Sequence, residues 1–130
     1  MVNIKPINKS NPQDRAADNK YYAQVVATGK TDLERLAYLV ANQSTVREAD
    51  CYAVILSLLH NVVDELKQGR IVKLDKLGSF QIGINSDAVD TPEEVSANLV
   101  NNVRIKFRPD KRMKNSLNIK TVDFTITKSA

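Results

Sequence analysis

Residues 69–84, GRIVKLDKLGSFQIGI, decide how the chain is read. The stretch leaves a helix through Gly69, makes a short strand IVKL (71–74), turns, and enters SFQIGI (79–84). In that second strand Phe80, Ile82 and Ile84 alternate onto one face, as a half-buried strand requires. Gly78 stands directly ahead of it. A residue without a Cβ lets the backbone turn sharply there, or lets a partner approach it closely.

Upstream, the spacing predicts two helices. Thr31 with Glu34 has the capping-box pattern, and Leu33, Leu36, Ala37 and Val40 follow at helical intervals, giving a first helix over 32–42. A second box, Thr45 with Glu48, opens a longer helix that stops at Gly69. This helix is apolar along two stripes, one through Val46, Ala49, Ala53 and Leu56, the other through Val54, Leu58 and Val62. It must be covered from two sides, one by the first helix and the other by a second subunit.

Downstream, NVRIKF (102–107) puts Val103, Ile105 and Phe107 inward and Arg104, Lys106 and Arg108 on the opposite face. Between the strands, DTPEEVSANL (90–99) offers Thr91 as N-cap and Pro92 as first helical residue, so a short helix is expected at the hairpin turn. DKRMKNSLN (110–118) reads as a short basic helix and TVDFTITK (121–128) as a final strand. At the other end, VNIKPIN (2–8) reads as an edge strand, because Pro6 withholds a ladder donor. KSNPQDRAADN reads as a loop and KYYAQVVAT (20–28) as a strand.

The 130 residues fit a single domain: an N-terminal strand extension (1–30), a helical dimerisation part (31–69), a sheet, arm and C-terminal helix (70–118), and a C-terminal strand (119–130). The apolar content of 42% is that of a folding chain. No apolar run approaches a bilayer span and the start MVNIKPINKSNPQDR lacks an apolar signal region, so the expectation is a cytoplasmic protein with no membrane partner. The net charge of +4 is unevenly spread. Residues 31–68 carry three Lys or Arg against six Asp or Glu, residues 85–99 none against four, and residues 100–130 eight against two. Such asymmetry is expected when one face meets a polyanion and another meets protein or water.

The ordered set of Leu36 and Ala37, Gly69, Val72 and Leu74, Gly78 and Phe80, then Phe107, Arg108, Pro109, Lys111 and Lys114 resembles the bacterial histone-like HU/IHF family from about Asp32 to Leu117. The resemblance implies an α+β fold: an intertwined homodimer with two helices packed under an antiparallel sheet that forms a saddle on duplex DNA. Two β-arms would reach around the minor groove. This chain departs from the pattern at several points. It has Lys76, Leu77 and Gly78 where the family has Gly-Phe-Gly, and Asp110 where the family has Gly. Its arm is shortened and helix-containing and carries Asp87, Asp90, Glu93 and Glu94 in place of basic residues, with Pro92 placed to start a helix rather than to wedge between bases. The extra N- and C-terminal strands resemble a divergent subgroup with a remodelled arm.

Basic side chains on a sheet and an adjoining helix suit phosphate binding, because each ion pair releases condensed counterions without reading bases. The candidate DNA-binding residues are Lys73, Lys76, Gly78, Ser79, Arg104, Lys106, Arg108, Lys111, Arg112 and Lys114. Gly78 and Ser79 either present N–H groups to a phosphate or serve a turn that only the topology needs. Carboxylates repel phosphates, so the acidic arm should stand away from DNA. The function expected is largely sequence-nonspecific binding of double-stranded DNA by a nucleoid-associated homodimer, without cofactor or small-molecule substrate. The alternative is a dimeric protein-interaction module that keeps the fold and has lost DNA binding. Catalysis is not supported. His60 is the one histidine and lies inside the second helix, Asp64 and Glu65 point to different helical faces, and neither metal-ligand spacing nor a nucleotide-binding glycine pattern occurs. The single Cys51 reads as a buried small hydrophobe.

Overall fold

A computed structural model describes residues 1–9, 13 and 19–127. The chain gathers into two compact units: residues 1–32 with 117–130, and residues 33–116. The loop expected over KSNPQDRAADN lies almost entirely outside the described residues. The fold is α+β, with three α-helices and two three-stranded sheets among the described residues.

In the first unit, β1 (Val2–Lys9) pairs antiparallel with β2 (Lys20–Val26) and parallel with the short β6 (Phe124–Ile126). β1 is therefore the central strand, not the edge strand that Pro6 suggested. The reason lies in backbone parity. The Val2 N–H donates to the Asp123 carbonyl and the Ile4 carbonyl accepts from the Thr127 N–H, so even-numbered residues of β1 turn their polar groups toward β6. Pro6 faces the same side, beyond the residues that pair with Phe124–Ile126, so its missing N–H costs none of those ladder bonds.

The second unit holds helices α1 (Leu33–Asn42) and α2 (Glu48–Lys67) and a sheet of β3 (Val72–Leu74), β4 (Gly78–Ser86) and β5 (Val100–Pro109). It also contains α3 (Lys111–Ser116). The capping box expected at Thr45 does not form; the N-cap of α2 is Arg47, which makes no side-chain capping bond. The connection between the helices is only residues 43–47, and the Ser44 hydroxyl accepts from the Val46 N–H at 3.3 Å, so Thr45 is spent in the turn. At the other end Gly69, with φ +79°, closes α2. Its N–H bonds the Leu66 carbonyl and the next N–H, of Arg70, bonds the Glu65 carbonyl, the left-handed stop expected of a glycine there.

β4 and β5 pair with Phe80 opposite Phe107, Ile82 opposite Ile105 and Ile84 opposite Val103, so the apolar residues expected to share a face do so. The Phe80 and Phe107 rings lie 4.9 Å apart between centroids. Where the sequence predicted a short helix at the hairpin turn, the chain makes two single 3-10 turns, Pro92–Glu94 and Ala97–Leu99. Val95 and Ser96 between them are extended, which prevents one continuous helix, and Thr91 makes no side-chain capping bond.

Gly78 is required by packing. A Cβ there would lie 2.5 Å from the Arg108 carbonyl oxygen and 2.5 Å from Cε2 of Phe107. One of these obstacles is backbone and cannot swing aside. Gly78→Ala is therefore expected to lower stability by about 3 kcal/mol. This would be seen as an earlier urea midpoint at unchanged slope; an unchanged midpoint would refute the packing account.

Candidate nucleic-acid interface

The basic residues are placed by the register of three strands. Lys73 pairs with Ser79 and Ser79 with Arg108, so these three form one row across the sheet. The next rows on the same face are Gln81 with Lys106 and Gly83 with Arg104. Cross-strand partners share a face, so Arg104, Lys106 and Arg108 stand together with Lys73, all exposed. An open depression of about 330 Å³ runs along this region, lined by Ile71, Ser79, Gln81, Lys106, Phe107 and Arg108.

Two of these cations are held by their surroundings. Nη2 of Arg104 donates to the Ile84 carbonyl at 3.3 Å, beside the irregularity at Asn85 and Ser86. Lys106 lies across Gly83, where an added Cβ would come within 2.7 Å of Cε of Lys106. The missing side chain leaves room for the lysine stem to lie flat on the sheet while its ammonium stays in water. Gln81 and Gly83 were absent from the residues picked out by sequence; strand parity counted on from Ser79 was the signal that could have found them. Lys73 lies 3.7 Å from Asp75 in an exposed pair, which is worth little.

Lys76 occupies the third position of the turn Leu74–Leu77, closed by the Leu77 N–H on the Leu74 carbonyl, and has φ +76°. A non-glycine residue in this region is uncommon. The turn is tied to α3, since the Asp110 N–H donates to the Leu77 carbonyl at 3.0 Å. Asp110 also starts α3: its carboxylate accepts from the Arg112 N–H at 3.2 Å and its carbonyl from the Lys114 N–H at 3.0 Å. Lys111 and Lys114 are three residues apart and share a helical face, whereas Arg112 projects from another side. Gly78 does not belong to the basic face. It sits between Leu74 and Pro109 in the ladders, buried against Phe107, and the close approach it permits is to its own chain.

The hairpin beyond this face is different in charge. The Asp87 N–H donates to the Leu99 carbonyl and Asn101 donates to the Asp87 carboxylate, both at 2.9 Å, closing the base of the segment that carries Asp90, Glu93 and Glu94. Among the described residues no group of three or more His, Cys, Asp or Glu side chains could hold a metal. No helix of the described residues is long and apolar enough to cross a membrane.

A family model described as "HU domain fused to wHTH, Ig, or Glycine-rich motif", HU-HIG, matches residues 2–125. A search of the curated proteins gives no match. Among solved structures, a protein from Bacteroides vulgatus described as a bacterial DNA-binding protein is similar with a TM-score of 0.67 and 14% identity over 96% of this chain and 47% of its own. This chain thus spans about half the length of that protein. A cocrystal of Anabaena HU with DNA is similar with a TM-score of 0.52 and 19% identity, over 66% of this chain and 96% of that one.

Lys76→Gly should remove a left-handed cost of about 1–2 kcal/mol and add about 0.5–1 kcal/mol of unfolded-state entropy. A net gain of about 0.5–1 kcal/mol in urea denaturation is expected, and a loss would show that the lysine side chain stabilises the turn.

Proposed function

The chain belongs to the HU-HIG family of HU domains fused to a wHTH, Ig or glycine-rich motif, and on that premise we propose that it is a non-enzymatic, histone-like protein that binds duplex DNA through phosphate contacts, largely without regard to sequence. The observation that carries this reading is the row-by-row register that gathers Lys73, Arg104, Lys106 and Arg108 on one sheet face beside Lys76 and the lysines of α3. Such an array neutralises phosphates and gains affinity without needing contact to any particular base edge. Ser79 supplies a short polar neighbour between Lys73 and Arg108. HU is the protein seen with DNA in the Anabaena cocrystal.

The working unit is a homodimer. Only Ala37, Cys51 and Leu66 are buried apolar side chains among the described residues. Val54 on α2 is 65% exposed, and on β5 Val103 is 60% and Ile105 72% exposed. Side chains of this kind, on two helix stripes and the inner sheet face, need cover, and a second copy supplies it in the HU manner. Repulsion between phosphates and the Asp87–Glu94 carboxylates holds the hairpin turns off the duplex, so bending by a minor-groove wedge is weak. Binding of this kind places the protein on the chromosome, in the bacterial nucleoid.

Fluorescence anisotropy with a labelled duplex of about thirty base pairs, beside a scrambled duplex, tests the reading. Equal binding to both is expected, with log affinity falling linearly against log salt. Changing Arg104, Lys106, Lys111 and Lys114 together to Glu should abolish it. Absence of binding at low salt would overturn the reading and turn it to the alternative, a dimeric interaction module with the acidic hairpin as its contact surface. The dimer is tested separately by light scattering. The unaltered chain should run at twice its 14.5 kDa mass, and Val54→Glu and Ile105→Glu should each shift it toward monomer; a monomeric parent would refute the dimer.

A further inference from the structure

The sheet of the first unit is divided by strand parity into two unlike faces. Val2, Ile4 and Pro6, with Ala23 and Val25 of β2 and Ile126 of β6, give one face without charge. The other carries Lys5, Lys9, Lys20 and Tyr22 among the uncharged Asn3, Ile7, Gln24 and Val26. Lys9 and Lys20 are direct cross-strand partners. Like charges placed opposite one another in a ladder are unfavourable, and alternating partners of opposite sign are the ordinary remedy. Here none is supplied: among the described residues Lys5, Lys9 and Lys20 have no ion-pair partner. Lys9 is instead steered, its ammonium 5.7 Å from the centroid of the exposed Tyr22 ring.

We propose that this face is a second contact with the phosphate backbone of duplex DNA, distinct from the basic sheet of β3, β4 and β5. The inference rests on the DNA-binding reading given above. Lys5 and Lys9 are four strand residues apart, about 13 Å at strand rise. One strand of a duplex carries a phosphate about every 3.4 Å of axis, so this reach matches several successive charges. An extended anion relieves the opposition of Lys9 and Lys20, which single counterions in water do only weakly.

The test is the full-length triple variant Lys5→Gln, Lys9→Gln, Lys20→Gln. All three side chains are exposed, so its urea midpoint should equal or exceed that of the parent. In the anisotropy titration the slope of log affinity against log salt should become shallower by about 0.9 for each phosphate lost, up to about 2.7 for each chain of the dimer that engages the duplex. The comparison is Arg104→Gln with Lys106→Gln on the other sheet, which should lower the slope separately and add to the triple variant. A triple variant with parental slope and affinity, beside a weakened Arg104 and Lys106 variant, would overturn this inference and leave the proposed function intact. A triple variant that loses affinity while the Arg104 and Lys106 variant does not would support this face and refute the other. No duplex binding by the parent would overturn both.

Discussion

The close approach of Phe107 and the Arg108 carbonyl to Gly78 is the constraint on which the sheet of the second unit depends. It brings β5 against β4 at a point where a side chain would meet backbone and hold them apart, and it sets Phe80 opposite Phe107. Once that pair is aligned, parity places every later residue of the hairpin. Ile82, Ile105, Ile84 and Val103 follow onto the apolar face, and Ser79, Gln81, Lys106 and Arg104 onto the other. A slip by one residue would exchange the two faces and send the cations into the apolar side. The arrangement of charge is thus a consequence of a packing contact made without any charged side chain.

The same unit shows how little apolar burial one chain achieves. α1 meets α2 at Ala37, a residue small enough for the helices to approach, and Cys51 and Leu66 complete the buried set of the described residues. Cys51 behaves as the small hydrophobe its surroundings suggested, with its thiol directed at the Val46 carbonyl at 3.9 Å. The larger residues of α2 and β5 remain open. Burial on this scale does not match the conformational entropy lost by the ordered residues, and that imbalance is the physical case for a second copy.

Periodicity made most elements legible from sequence. The Gly69 exit, the alternation through Phe80, Ile82 and Ile84, and the opposed set Arg104, Lys106 and Arg108 could all be read because a strand has a period of two and a helix stop favours glycine. Three features were hidden. The start of α2 depends on how few residues connect it to α1, which overrides the Thr45 signal. The 3-10 turns depend on Val95 and Ser96 being extended within a closed hairpin, where local propensity had favoured one helix. The central position of β1 depends on a strand contributed from more than a hundred residues away, beyond the reach of any local pattern. In the candidate site, charge and its two-residue spacing along β5 were visible, and the contacts across strands were not. Gly83 under Lys106 and the tie from Asp110 to Leu77 are tertiary facts.

Pro6 carries a consequence for the protein in a crowded cell. Among the described residues, no strand pairs with the β6-facing side of β1 beyond Ile4, and a ladder edge is where a foreign chain can add itself and propagate. The backbone position that would first greet such a chain is the one whose nitrogen carries no hydrogen. The next that faces this way is Asn8, with Lys9 directly beside it. At Pro6 an incoming strand therefore finds no donor, and the chemistry of the backbone itself resists fibre growth from this edge.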